Sequence, residues 1–586
     1  MTFGLTILPQ GHSFRVKKGV LLIEALRDAG INLVSYCNHK GLCGKCFVEI
    51  IKGALAPAEA REKEFTTRKR LGKRYRLACL YRISGDLKIR IPEPALLPKM
   101  PVLKRGLRRA ILPDPAVKKV VFASCPPNLA APLSLSDEVR RQIPSLRQKV
   151  SPGILSEWAE LEGQRPEEFT ATVYENNEIL DFEPGHTAEK NFGIAIDIGT
   201  TTLVAELVNL NTGETLDAVT GLNSQIHFGA DVVSRITAVF EDPKKSGALR
   251  AAVLDSLNSM IEKLLGTQRI ARRHVYEAVA AGNTAMNHLF LGLPVKTLAL
   301  APYHAVFSTL PPVPASEAGL AIHPRGKVYI APNIKSFVGG DIAAGLIAID
   351  LRHQQGNYLF IDLGTNGEIV LKKGRRFLAT STAAGPAFEG MNIRCGMLAV
   401  PGAIYKVEDR SGLRVRTIGN LPARGLCGTG LIDLVAIFLG QGTISPQGRI
   451  RNGAPKLPVW RGVELFQRDI REIQLAVAAV KTGIRLMLGR ENLTVRDLDG
   501  IYVAGAFGNY LNIDNSRKLG LLPGLDKKKI RFVGNSALAG AKALLVSRKE
   551  RARSEHLART VRHVSLATDP SFQKTFIEAL RFEAWK

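Results

Sequence analysis

The sequence predicts a multidomain protein combining α+β and α/β folds: a small cysteine-bearing domain, a connector, a small middle domain and a large two-subdomain α/β half. Three observations predict it. A chain of 586 residues exceeds what one core holds, because single cores stop growing near ~250–300 residues. Four of the seven cysteines, Cys37, Cys43, Cys46 and Cys79, lie close together near the start. A strand ending in Asp-x-Gly-Thr occurs twice, at Asp197 and at Asp362.

Composition narrows the class. Hydrophobic residues make up 45% and charged residues 23%, as in ordinary globular proteins. No apolar run reaches the ~18 residues that a membrane span needs. Met1-Thr2-Phe3-Gly4-Leu5 lacks the basic and apolar regions of a signal peptide. Cys125, Cys395 and Cys427 are an odd remainder too scattered for a disulfide framework, so a reducing cytoplasm is expected; Cys125 and Cys427 are read as packed structural thiols, and Cys395 is assigned no role. The net charge of +27 reads either as solubility, with basic residues on solvated faces, or as attraction to an acidic partner. Nucleic acid is disfavoured, since aromatics are 6% and no stacking motif or zinc module occurs. The run Arg68-Lys69-Arg70, Lys73-Arg74 and Arg76 reads either as a docking patch or as the wet face of a short helix.

The first element, residues 1–91, opens with a hairpin: Leu5–Leu8 and Ser13–Val16 around Gln10-Gly11. Leu21 to Ala29 carries apolar residues at helical spacing and stops at Gly30. Strands Phe47–Ile51 and Asp86–Ile91 flank the later cysteines. The cysteine spacing is C-x5-C-x2-C-x32-C. Four thiolates satisfy a 2Fe–2S cluster, two per iron. Gly41 and Gly44 let the backbone curl toward the sulfurs. Structural zinc is the weaker reading, because zinc ribbons pair two close Cys-x2-Cys knuckles. This stretch resembles the β-grasp ferredoxins, with a first gap nearer the adrenodoxin type than the plant type.

Residues 92–125 form a proline-rich connector, with Pro92, Pro94, Pro98, Pro101, Pro113 and Pro115 breaking regular structure. Residues 126–190 form a small middle domain without a catalytic constellation. Its expected elements are helices near Ser136–Ile143 and Ile154–Leu161 and a hairpin, Phe169–Tyr174 with Ile179–Phe182, turning at Asn176-Asn177.

The last element, residues 191–586, contains the repeat. Ile194-Ala195-Ile196-Asp197-Ile198-Gly199-Thr200-Thr201-Thr202 and Leu359-Phe360-Ile361-Asp362-Leu363-Gly364-Thr365-Asn366-Gly367 are each a buried strand, a tight turn and the start of a second strand. Glycine lets the turn approach an anion, hydroxyls and backbone N–H groups donate to phosphate oxygens, and the aspartate suits hydrated Mg²⁺. A helix near Ile470–Leu488 and a strand, Ile501–Val503, lead into Ala504-Gly505-Ala506-Phe507-Gly508-Asn509. No G-x4-G-K-[ST] occurs. This set resembles the ASKHA superfamily, whose actin-like, RNase H-like subdomains close on ATP. By that resemblance, Asp197, Gly199, Thr200, Thr201 and Thr202 form one phosphate loop. Asp362, Gly364, Thr365, Asn366 and Gly367 form the other. Gly505 and Gly508 serve adenosine, and Asp197 and Asp362 are the catalytic carboxylates.

A ferredoxin joined to an ASKHA half is similar to the reductive activators of corrinoid proteins, the RACo type. Gly428 and Gly430, in Gly425-Leu426-Cys427-Gly428-Thr429-Gly430, fit that family's look and are counted with the nucleotide-binding residues. The resemblance implies ATP-dependent passage of one electron from the 2Fe–2S cluster to Co(II), regenerating Co(I). Its partners would be a corrinoid protein (a corrinoid iron–sulfur protein or a methyltransferase corrinoid subunit) and a low-potential electron donor, with no membrane; a homodimer is left open. Two alternatives stand beside it. One is an activator of a dehydratase or aryl-CoA reductase. The other is a nucleotide-binding iron–sulfur sensor.

Overall fold

Leu5, Ile7 and Val16 alternate with more exposed neighbours, and these period-two stretches form the hairpin β1 (Thr2–Leu8) and β2 (His12–Lys17). Helix α1 (Leu22–Asp28) follows, burying Leu22, Ile23, Ala25 and Leu26. Then come β3 (Phe47–Lys52), α2 (Ala60–Lys69), β4 (Tyr75–Leu77) and β5 (Leu87–Arg90). The sheet order is β2-β1-β5-β3-β4. The first and last strands, β1 and β5, run parallel at its centre, which is the β-grasp arrangement. The structure is a computed structural model that describes all residues except 9–10, 32, 34–40, 42–43, 54, 56, 70, 93–94, 96–108, 124–133, 144–149, 163–166, 411, 506–510, 567 and 586. Cys37, Cys43, Arg70, Cys125, Gly508 and half of the proline-rich connector therefore lie outside the described residues.

The basic run is not one wet face. Arg76 is buried in β4, where its guanidinium meets both Glu62 carboxylate oxygens at 3.0 and 2.6 Å. Glu62 also accepts from Leu77 N–H, and Arg76 lies over the Tyr81 ring. Arg76 therefore holds the domain together and is withdrawn from any docking patch. Lys73 and Arg74 are exposed.

The middle segment folds as β6 (Val117–Ala123), α3 (Leu135–Gln142), α4 (Pro152–Glu162), β7 (Glu168–Tyr174) and β8 (Glu178–Pro184). The strands form an antiparallel sheet in the order β6-β7-β8. Phe122, Trp158, Phe169 and Phe182 pack ring to ring as its core. Residues 117–123, read from sequence as connector, supply its first strand.

The repeat then becomes two related sheets. The first copy runs β9 (Phe192–Ile198), β10 (Thr202–Asn209), β11 (Thr215–Leu222), α5 (Val232–Glu241), α6 (Lys245–Gln268), β12 (Val275–Gly282), α7 (Thr284–Leu291), α8 (Lys296–Ala299), β13 (Val313–Pro314), α9 (Ala315–Ala318), β14 (Lys327–Ile330) and α10 (Gly340–Ala348). The second opens with β15 (Asn357–Leu363), β16 (Gly367–Lys373) and β17 (Arg376–Thr382). An insertion follows: β18 (Ala403–Asp409), β19 (Leu413–Thr417), β20 (Gly425–Leu426), α11 (Gly428–Gly440), β21 (Lys456–Trp460) and β22 (Val463–Phe466). The chain ends with α12 (Gln467–Arg490), β23 (Gly500–Ala504), α13 (Ile513–Leu519), β24 (Ile530–Gly534), α14 (Ser536–Val546), α15 (Arg548–Thr560), β25 (Arg562–His563) and α16 (Phe572–Ala579). The sheet orders are β11-β10-β9-β12-β14-β13 and β24-β23-β15-β16-β17-β25. In each, three antiparallel strands are extended by parallel ones, and β13 closes the edge of the first sheet antiparallel to β14. Helices α10 and α14 share one core with these sheets, and their backbones approach so closely that a Cβ on Gly540 would strike the Ala344 carbonyl.

The chain divides into two compact units. One comprises Met1–Pro101, Ser224–Asp242 and Gly385–Ala476; the other comprises Val102–Asn223, Pro243–Ala384 and Val477–Lys586. The C-terminal half, read from sequence as one block, thus contributes two segments to the unit that holds the N-terminal domain. Inside the second unit, polar pairs link the middle sheet to β12 and its neighbours. Lys119 pairs with Glu183, which also meets His274; Tyr276 donates to Asp181 at 3.1 Å, and Arg325 clasps Glu157 with two hydrogen bonds.

Candidate cluster loop and nucleotide site

Two of the four predicted cluster ligands lie among the described residues. Cys46 and Cys79 are both almost fully buried, and neither is in a disulfide. The Ala78 N–H donates to the Cys46 carbonyl at 2.9 Å, which brings their two chain segments side by side. Gly44 has a φ of +61°, and a Cβ there would run into the Phe65 ring, so glycine is needed on both counts. A buried turn bearing two cysteines outside any disulfide suits iron–sulfur ligation. Between Gly44 and Cys46, Lys45 reaches the Gly396 carbonyl of the insertion at 2.9 Å.

Cys427 is a different kind of thiol. Its Sγ donates to the Ile404 carbonyl at 3.3 Å and lies 3.4 Å from Thr429 Oγ1. Burial pushes its pKa up, so the thiolate that a metal requires is disfavoured. Gly430, also buried, leaves no room for a Cβ against the Ile404 carbonyl. With Gly428 it sits at the start of α11 in the first unit, where packing explains it.

In the second unit, the two Asp-x-Gly-Thr turns occupy equivalent ends of β9 and β15. Asp197 accepts a 2.7 Å hydrogen bond from Asn535 Nδ2, and Asn535 caps α14 through its Oδ1. Asn283 caps α7 and donates from Nδ2 to Thr200 Oγ1 at 3.2 Å. Asn223 donates to the Gly199 carbonyl, and its own N–H bonds the Thr201 carbonyl. In the second turn, the Gly364 N–H bonds the Asn366 carbonyl at 3.1 Å; Thr365 is buried, and Gly367 begins β16. Gly505 leaves β23 with φ +94°, where a Cβ would lie 2.5 Å from the Leu363 carbonyl and 3.0 Å from Asp362 Oδ1. Only glycine fits against the second turn there.

The electrostatics identify what these turns surround. Burial, followed by the charge of Asp341, pushes Asp197 up to about 7. Burial and then the charges of Asp341 and Asp197 push Asp362 up to about 8. Asp341 rises to about 6 through burial. Glu368 is raised well above the carboxylate range by burial and by Asp341 and Asp362, although Ser381 donates to it at 3.2 Å. Four carboxyl groups thus repel one another beside two glycine turns, an arrangement that a divalent cation relieves. Sequence reading did not single out Asp341, Glu368, Asn283 or Asn535 as site residues. The available signals were the Gly-bearing turns Gly339-Gly340-Asp341, Ala281-Gly282-Asn283 and Gly534-Asn535.

The fold and these turns define an iron–sulfur protein carrying an ASKHA half. Residues 5–84 match the 2Fe-2S iron-sulfur cluster binding domain, residues 192–354 the RACo middle region, and residues 356–586 the C-terminal domain of RACo, the ASKHA domain. The corrinoid activation enzyme RamQ of Eubacterium limosum is 31% identical over 96% of this chain and 96% of its own length. The [Co(II) methylated amine-specific corrinoid protein] reductase of Methanosarcina barkeri is 28% identical over 67% of this chain and 77% of its own. Among solved structures, a reductive activator for corrinoid, iron-sulfur protein superposes with a TM-score of 0.76 at 33% identity, covering 99% of this chain and 98% of its own. The chain belongs to the RACo family of corrinoid activators.

Proposed function

We propose that this chain is an ATP-dependent reductive activator that delivers one electron to a corrinoid protein, converting Co(II) to Co(I). The observation that carries the reading is one chain holding both a buried ferredoxin-type cysteine turn and the repeated aspartate turns, in the order found in corrinoid activators along their full length. When bound, the 2Fe–2S cluster supplies one electron, and ATP with Mg²⁺ supplies free energy through hydrolysis to ADP and phosphate. Cys37, Cys43, Cys46 and Cys79 would hold the cluster's four ligand positions. Asp197 and Asp362 orient the hydrated cation, with Asp341 and Glu368 adding charge. The turns Gly199–Thr202 and Gly364–Gly367 donate to phosphate, and Gly505 leaves room beside them. Each ~59 mV of mismatch makes a one-electron step tenfold less favourable, so a low-potential acceptor needs a coupled source of free energy. A nucleotide that changes affinity for the partner provides one. A low-potential electron donor would be the second partner, and a reducing cytoplasm would keep the four cysteines available as thiolates. The buried, hydrogen-bonded Cys427 argues against a dehydratase-type activator that would use it as a cluster ligand.

The test is anaerobic reduction of a Co(II) corrinoid iron–sulfur protein and of a Co(II) methyltransferase corrinoid subunit. Co(I) absorbance should appear with reductant and ATP and not with reductant alone. Equal rates without ATP for either substrate would reject the coupled mechanism.

A further inference from the structure

Leu300, Tyr303, Val306 and Phe337 are 49, 46, 50 and 36% exposed. Single exposed apolar side chains are ordinary, but four on two joined loops form a patch. Tyr303 and Phe337 lie with ring centroids 5.7 Å apart. The Ser336 hydroxyl donates to the Tyr303 carbonyl, and the Val306 N–H is fixed on His288 Nε2 at 3.0 Å. The charged or titratable side chains in 296–307 and 332–338, apart from Tyr303 itself, are Lys296, His304 and Lys335; neither segment contains a carboxylate. The patch thus has an apolar centre and a basic rim.

The same loops connect to the nucleotide turns. Thr284 Oγ1 donates to the Lys335 carbonyl at 2.6 Å. Its neighbour Asn283 donates to Thr200 in the first phosphate turn. Beyond Phe337 the chain runs through Val338 and Gly339 to Asp341. Two hydrogen bonds and a short stretch of chain thus join the patch to the threonine turn and to an acidic member of the site.

We infer that Leu300, Tyr303, Val306 and Phe337, rimmed by Lys296 and Lys335, form the docking surface for the corrinoid protein, through a face with an apolar centre and acidic rim. Its occupancy signals to the phosphate turn through Thr284 and Asn283. This rests on the activator reading above. Charge complementarity favours such an occupant, since the rim is basic and the whole chain carries +27. Buried aromatic anchors ringed by charge are where binding energy concentrates.

The test uses the full-length, cluster-loaded chain with the Co(II) corrinoid proteins named above. In Tyr303→Ser/Phe337→Ser, the partner concentration for half-maximal ATP turnover should rise roughly tenfold or more, as loss of two aromatic anchors predicts. Partner-free ATP turnover and the cluster spectrum should stay unchanged. Lys335→Glu, which alters only a surface charge, should weaken partner dependence and flatten its response to salt; it carries the test if the double variant fails to fold. If the wild type reduces a corrinoid protein and both variants match its half-saturation, the docking surface is wrong while the activator reading stands. If the wild type reduces no corrinoid protein, both fall. Conversion of a wild-type dimer to a monomer by the double variant would assign the patch to a second copy and overturn the inference.

Discussion

Lys45 Nζ donates to the Gly396 carbonyl at 2.9 Å, tying the residue between Gly44 and Cys46 to the insertion of the second repeat. On the proposed ligation by Cys46, Lys45 is one residue from a ligand, and nearby positive charge favours the reduced, more negative state. Lys45→Met should therefore shift the midpoint potential downward, on the order of tens of millivolts. An EPR-monitored redox titration checks this. An unchanged potential would leave Lys45 as an anchor only.

Glu62 and Arg76 form a buried pair of two hydrogen bonds just before Cys79. Glu62→Gln removes the counter-charge and leaves the guanidinium buried, which costs about 3–5 kcal/mol. Small domains have only about 5–15 kcal/mol in total. The variant should lose its cluster on mild heating well before the wild type, followed by visible absorbance. Glu62→Met/Arg76→Met should recover much of the loss, because it removes both charges.

Gly505→Ala places a methyl group at φ +94° against the Leu363 carbonyl. Strain of this kind costs about 1–3 kcal/mol and displaces the second turn. Nucleotide affinity should fall at least tenfold by fluorescent-nucleotide titration, with the cluster spectrum unaltered. Retained affinity would separate β23 from the nucleotide site.

The raised carboxylates make stability depend on pH. Asp362 stands at about 8 and Asp197 at about 7, both above their usual value of 3.8. The folded state then holds protons that the unfolded state releases. The stability this contributes is complete below about pH 4 and is lost as pH rises through 7 to 8. The nucleotide-free protein should show a melting temperature that declines across this window. Asp362→Asn should flatten the decline and abolish ATP hydrolysis. Mg²⁺ with ATP should restore the wild type at pH 8, because cation binding compensates the ionised groups. Calorimetry across pH 5–9 measures each arm, and a flat wild-type profile would refute the clustering of charge.

Local chemistry was legible in the sequence, and facing was not. Cys37, Cys43, Cys46 and Cys79 announce themselves because a ligand turn imposes short, fixed spacings on neighbouring residues. Asp197 and Asp362 stand out because each ends a buried strand in the same glycine turn. The β9 and β15 copies, the hairpin β7–β8 and the long helix α12 follow from hydrophobic periodicity, which is a property of adjacent residues. Arg76 was misleading because its partner Glu62 lies on a different element, and a run of like charges does not reveal which member turns inward. Asp341, Asn283 and Asn535 meet the aspartate and threonine turns only because β9, α7, α10 and α14 converge. The grouping of residues 385–476 with the N-terminal domain likewise comes from contacts such as Lys45 to Gly396. The sequence by itself determined the cysteine spacing, the turns and the order of domains, since these are written in short-range patterns. Only the tertiary structure decided which carboxylates share one site and which basic residues face water, because both depend on burial and long-range approach.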